Sequence, residues 1–110
     1  MIKKFSVNYS DKELLVIYDK IRNYPWQSMP NVDHWEYGTS HKYLKELCDY
    51  WIKDFNWKSH EELINSFSNF KTKVDDIDLH FIKEVGSGDN PKPLLLMHGW
   101  PGSIVEFLEI

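Results

Sequence analysis

Leu94-Leu95-Leu96-Met97-His98-Gly99-Trp100-Pro101-Gly102-Ser103 holds the sharpest change of character in the chain. Preceded by Pro93, its first four residues are apolar at every position, as in a strand covered on both faces. Two glycines and a proline then fall within five residues, which neither strand nor helix tolerates. Ser103 is a helix-capping residue type, and Ile104, Phe107 and Leu108 behind it open an amphipathic segment. The expected order is buried strand, tight turn, start of a helix. In open α/β sheets the C-terminal ends of strands face the ligand crevice. A glycine such as Gly99 lets backbone amides come close to a reacting group. An amide in that turn, beside a helix N-terminus, suits a developing oxyanion, and losing one such donor typically costs ~2.7–4 kcal/mol of barrier. The Trp100 backbone N–H is the candidate donor, in a loop completed by His98, Gly99 and Pro101. The tertiary amide before Pro101 lowers the cost of a cis Trp100–Pro101 bond. The alternative is a strand-to-helix turn without a chemical role, since short glycine motifs recur widely.

Working back from the turn, Gly86-Ser87-Gly88-Asp89-Asn90-Pro91 reads as a loop. Before it Phe70, Thr72 and Val74 alternate with Lys71, Lys73 and Asp75, and Ile77, Leu79 and Phe81 alternate with Asp78, His80 and Lys83. That period of two predicts an antiparallel hairpin turning at Asp75-Asp76. The preceding region has helical period. Ser10-Asp11-Lys12-Glu13 is a capping box, followed by Leu14, Ile17, Tyr18 and Ile21, predicting a helix over 11–23. Tyr24-Pro25 ends it, because the residue before proline is pushed out of the helical region. Tyr43, Leu44, Leu47, Cys48, Trp51 and Phe55 form the apolar face of a second helix over 41–54. Ser59-His60-Glu61-Glu62 predicts the start of a third, carrying Leu63, Ile64 and Phe67. Between the first two, Trp26, Met29, Trp35 and Tyr37 are set among Pro30, Asn31, Asp33 and Gly38. This reads as irregular backbone pinned on another surface by its large side chains. A hairpin followed by one strand covered on both faces looks like the opening of an α/β sheet whose parallel strands come later.

Composition limits the functional classes. The 110 residues are 42% hydrophobic and 15% aromatic, enough for a core and too apolar for disorder. Thirteen basic residues are scattered among seventeen acidic ones, for a net charge of −4. A nucleic-acid surface needs a clustered basic stripe, so nucleic acid is not an expected partner. No run approaches the ~18–20 apolar residues of a membrane span. The start, Met1-Ile2-Lys3-Lys4-Phe5, lacks the apolar run of a signal peptide. One cysteine cannot form an internal disulfide and fits a reducing compartment, so a cytoplasmic chain is the expectation.

The His98-Gly99-Trp100-Pro101-Gly102-Ser103 segment resembles the H-G-x-P oxyanion loop of α/β-hydrolases. It is closest to the form found in epoxide hydrolases related to the microsomal and insect juvenile-hormone enzymes. The likeness extends through Trp35-Glu36-Tyr37-Gly38, Tyr43-Leu44-Lys45-Glu46-Leu47, Tyr50-Trp51 and Phe55-Asn56-Trp57-Lys58. Leu63-Ile64-Asn65-Ser66-Phe67, Phe70-Lys71-Thr72, Ile77-Asp78-Leu79-His80-Phe81 and Phe107-Leu108 continue it, so it covers the chain from about residue 5. Two departures stand out: Asp76 occupies a usual turn-glycine position, and Asn56 a usual aspartate. The resemblance implies an α/β chain in two parts. Residues 1–69 would be the family's helical and meandering N-terminal extension, and 70–110 the start of the hydrolase core, with hairpin, buried strand, oxyanion loop and start of the next helix.

The resemblance further implies ring opening of a small-molecule epoxide by water to a vicinal diol, without metal or organic cofactor. In that family an elbow aspartate forms an ester that a His–acid pair then hydrolyses. No G-x-D-x-G or G-x-S-x-G elbow occurs in these residues. Only Trp100, His98, Gly99 and Pro101 carry over, with the remainder of the hydrolase core as the expected partner and no activity expected of the chain alone. The second expectation is a non-catalytic interaction module docking through its Trp/Tyr surface. Other features carry less. His34, His41, His60, His80 and His98 lack metal-ligand spacing. Asp75, Asp76 and Asp78 belong to a hairpin turn, and Cys48 falls on an apolar helix face. Asn8-Tyr9-Ser10 is a sequon that has no meaning without secretion. Neither residues nor resemblance decides an oligomeric state.

Overall fold

The computed structural model describes residues 1–30 and 33–110. Asn31, counted above among the turn-forming residues, lies outside the described residues. The chain divides into two compact units, one formed by Tyr9–Trp57 and the other by Met1–Asn8 with Lys58–Ile110.

The first unit is helical. Helix α1 spans Asp11–Arg22, and its capping box forms as expected. The Ser10 N–H donates to Glu13 Oε2 at 2.8 Å, and the Glu13 N–H donates to Ser10 Oγ at 3.3 Å. Asn23 closes the other end, its Nδ2 donating to the Asp19 carbonyl at 2.8 Å. Helix α2 spans His41–Lys53 under Ser40, whose hydroxyl accepts from the Tyr43 N–H at 3.3 Å. The two helices pack against each other. Between them the expected pinned aromatics divide. Trp26 is half-buried and packs at a tilt against Tyr24 and His41, with ring centroids 4.7 and 5.6 Å away. Trp35 contacts Tyr43 at 5.1 Å yet stays 61% exposed, and Tyr37 is 86% exposed, so neither is pinned.

The second unit is a sheet with one helix. Helix α3 spans Trp57–Asn65, beginning before Ser59, so Ser59-His60-Glu61-Glu62 lies inside the helix and is not its cap. Asn56 stands just before the first helical residue and is itself a good capping type, which competes with the later serine. The hairpin is present. Strand β2 spans Asn69–Val74 and β3 Ile77–Ile82, paired antiparallel from Asn69↔Ile82 to Val74↔Ile77. Phe70 and Phe81 face each other with rings 5.6 Å apart. Asp75 and Asp76 make the turn with φ of 48° and 64°, both left-handed, as a two-residue hairpin turn requires.

A short strand β1, Lys3–Lys4, adds to the free edge of β2 with Lys3 opposite Lys71, giving the sheet order β1-β2-β3. Nothing in the sequence reading anticipated it, although Phe5 and Val7 already alternate with polar neighbours. Two asparagines hold it. Asn65 imitates a strand partner for Val7, accepting its N–H at 2.8 Å and donating to its carbonyl at 2.7 Å. Asn69 takes the Phe5 N–H on its backbone carbonyl at 3.0 Å.

The apolar run is a correction. Leu94–Met97 carries no strand pairing among the described residues, and Leu94, Leu95 and Met97 are 76–80% exposed. A strand covered on both faces needs neighbours at its edges and layers above and below it. The described sheet ends at β3 and offers this run neither. Downstream, Ser103 does cap a helix, but one of 3-10 type spanning Ile104–Phe107.

Candidate functional site

The candidate site is the turn that follows the apolar run. Gly99, Trp100, Pro101 and Gly102 form one reverse turn closed by the Gly102 N–H donating to the Gly99 carbonyl at 2.7 Å. The Trp100–Pro101 bond at its centre is cis, as the sequence suggested. Proline in cis at the third position defines the type VI turn. His98 lies 3.3 Å from the same carbonyl through Nδ1. A carbonyl only accepts, so this contact requires the proton on Nδ1. The Gly99 oxygen thus ties both ends of the turn.

The two glycines differ in why they are glycine. At Gly102 a Cβ would overlap the Glu106 carboxylate and approach the Gly99 carbonyl to 3.0 Å. A side chain here would displace the Glu106 carboxylate and crowd the Gly99 carbonyl. At Gly99 a Cβ would meet nothing within 4 Å. Its place is open space above the turn, where another group can come close to the backbone.

Ser103 begins the 3-10 segment, its Oγ accepting the Val105 N–H at 3.3 Å. Among the described residues no protein acceptor takes the Trp100 N–H. The Trp100 indole is 97% exposed. The structure therefore sets His98 and Ser103 at the two ends of the turn formed by Gly99, Trp100, Pro101 and Gly102, with an amide left over. Glu106, which the sequence reading passed over, fills the space beneath Gly102; its i+4 spacing on the helix behind a glycine was the available signal.

A second feature lies in the helical unit. Leu14 and Ile17 of α1, with Leu47, Tyr50, Trp51 and Phe55 of α2 and its end, line most of a half-open groove of about 460 Å³. The helical periodicity located both apolar faces. Cys48, on α2, has its thiol pKa raised by partial burial and secondarily by the Asp49 carboxylate, the profile of a sluggish thiol.

Capped helices before a hairpin, then an apolar run into a glycine–proline turn and a helix start, make up the opening arrangement of an α/β-hydrolase. The comparisons carry this further. The family described as epoxide hydrolase N terminus matches residues 2–107. The chain is 39% identical to epoxide hydrolase 1 of Oryctolagus cuniculus, over 99% of this chain and 25% of that protein. With the juvenile hormone epoxide hydrolase of Manduca sexta it shares 36% identity, over 96% of this chain and 24% of that one. The structure of Aspergillus niger epoxide hydrolase superposes with a TM-score of 0.80 at 27% identity, over 99% of this chain and 29% of the other. The chain belongs to the epoxide hydrolase N terminus family, as its motifs implied, and spans about a quarter of the length of the curated relatives it matches. No described helix is long and apolar enough to cross a membrane.

Proposed function

We propose that this chain is the N-terminal portion of an epoxide hydrolase, whose whole reaction adds water to an epoxide to give a vicinal diol. In this reading residues 1–69 are the extension and 70–110 begin the catalytic core, completed by sequence further on. The Leu94–Met97 run becomes a central strand once flanking strands pair with it. The cytoplasm is the compartment of the same reading.

The observation that carries the site assignment is the unengaged Trp100 N–H in a turn tied down by the Gly99 carbonyl. When water adds to an ester between enzyme and substrate, the carbonyl oxygen gains negative charge. A fixed amide N–H aimed at that oxygen stabilises the charge without reorganising, worth ~2.7–4 kcal/mol. Trp100 supplies the donor, while His98, Gly99 and Pro101 hold the loop. The nucleophile, acid and base are not among these residues, so the 110-residue chain is inactive alone. Incubated with styrene oxide, it should form diol no faster than buffer does; diol formation in proportion to chain concentration would overturn this. In a longer protein carrying this segment, Trp100→Phe keeps the N–H and should keep activity. Trp100→Pro removes the N–H and should lower kcat about 100–1,000-fold.

The groove in the helical unit favours a second reading, a binding module that docks through aromatic side chains without catalysis. Ultracentrifugation with urea unfolding separates the two. A monomer unfolding in one cooperative step supports the module, and a self-associating, dye-binding chain supports the portion of a larger enzyme.

A further inference from the structure

Asn69 is 5% exposed, the most shielded residue of the hairpin. Its Nδ2 donates to the Ile64 carbonyl at the end of α3, at 2.7 Å, and to the Phe67 carbonyl at 2.8 Å. Both amide protons are thereby used on carbonyls, which fixes the orientation of the side chain. Its Oδ1 therefore faces His80 Nε2, 2.9 Å away on β3, and an amide oxygen only accepts. His80 must carry a proton on Nε2. In the neutral ring Nδ1 is then bare, and any further proton goes there.

The surroundings of that imidazole are cationic. Lys71 lies directly opposite His80 across the β2–β3 ladder, and Lys3 directly opposite Lys71 across β1–β2, so all three share one sheet face. The Lys71 ammonium sits 3.9 Å over the Phe5 ring, and that ring meets His80 edge-on at 5.1 Å. Several carboxylates and cations of the neighbouring elements are engaged elsewhere. Asp78 of β3 pairs with Lys73 of β2 at 3.5 Å, and Glu61 of α3 pairs with Lys58 at 3.2 Å. Glu84, beyond β3, accepts the Ser68 N–H.

We propose that His80, clamped through Asn69 to the end of α3 and covered by Phe5, is an acid-sensitive latch that releases the N-terminal strand β1 when it takes up a second proton. Opening β1 lifts Phe5 from the ring and moves Lys3 away, so the imidazolium gains water and loses repulsion in the open form. Partial burial first, and Lys71 second, lower the His80 pKa in the closed form, in agreement with that direction. The linkage follows. Above the unfolded value of about 6.5 both forms are neutral and the latch is at full strength. As pH falls from there to the lowered closed-state value, the open form binds the proton first and closure weakens. Below the closed-state value the loss is complete.

The measurement is amide hydrogen exchange at Phe5 and Val7 from pH 7.5 to 4.5, corrected for intrinsic exchange. The opening equilibrium should rise as pH falls below about 6.5, by at most ~10-fold per pH unit for one proton. His80→Gln, which retains a donor for Asn69, should flatten that slope. The same slope in both proteins would overturn the proposal. If His80→Gln fails to fold, an NMR titration of the wild-type ring, assigned through its contact with Phe5, decides. A midpoint below about 6.5 supports the latch, and one at or above it overturns the latch.

Discussion

At the scale of single residues, the hairpin turn shows a local conflict settled by register. The cross-strand pairing leaves two residues for the turn, and both must take positive φ. Aspartate accepts that conformation better than most residues but still less well than glycine, for which it carries no Cβ penalty. Asp76→Gly relieves about 1–2 kcal/mol of left-handed strain and returns about 0.5–1 kcal/mol in unfolded-state entropy. The expected net gain, about 0.5–1 kcal/mol, is readable as a higher urea midpoint at unchanged m-value. An unchanged or lower midpoint would mean that the turn stores no strain. Cys48 gives a second prediction on the same scale. Its thiol pKa is raised by partial burial, with Asp49 adding to the shift. Less thiolate is then present near neutrality, so iodoacetamide should label Cys48 more slowly than it labels glutathione at pH 7.5. The rate should keep rising with pH beyond the point where glutathione levels off. Equal rates at both pH values would remove the shift.

At the scale of elements, the joint between α3, β1 and the hairpin rests on few polar groups. Removing the Asn69 side chain leaves the Phe67 carbonyl and the His80 N–H without this partner at a part-buried position, and takes one of two donors from the Ile64 carbonyl, which still accepts the Phe67 N–H. Asn69→Ala should therefore cost about 2–4 kcal/mol, given ~1–3 kcal/mol for each buried group left unpaired and partial access of water. Asn69→Asp should cost more, because a carboxylate would then face both carbonyls. Urea unfolding of both variants tests the order, and a loss below about 1 kcal/mol for Asn69→Ala would show that water replaces the amide. This joint marks the limit of what the sequence discloses. The capping box at Ser10, the α2 face from Tyr43 to Phe55 and the hairpin alternation were legible because each is set by neighbours a few residues apart. Strand β1 was not, since Lys3–Lys4 pairs with residues almost seventy positions away and two residues show no period. The start of α3 was misplaced because Asn56 and Ser59 are both capping types within one turn of each other. At the candidate site, the turn itself was legible from Gly99, Pro101 and Gly102. Glu106 beneath it was not, because its place depends on where the helix runs.

At the scale of the whole molecule, apolar material exceeds what is buried. Ile64, 7% exposed, is the one buried apolar side chain among the described residues, while Leu95 and Met97 are each 80% exposed. The sequence reading of Leu94–Met97 as a strand covered on both faces identified the demand for burial correctly and the supply wrongly. Four apolar positions specify that both faces want cover, and nothing in them says where the cover comes from. Contiguous exposed apolar surface binds hydrophobic dyes and other copies of the chain. The chain should accordingly enhance ANS fluorescence at neutral pH and sediment faster as its concentration rises. Leu95→Lys places a charge in the middle of the run at a position with little to lose. It should reduce both signals while shifting the unfolding free energy by less than about 0.5 kcal/mol, as for other exposed sites. Ile64→Ala, by contrast, should cost about 2–4 kcal/mol because it empties a closed site. If Leu95→Lys destabilised the chain as strongly as Ile64→Ala, the run would already be packed in solution, and the proposal that flanking strands complete it would fail. If stability held but ANS binding did not fall, the dye would be reporting the helical groove instead. The exposed run would then have no part in association.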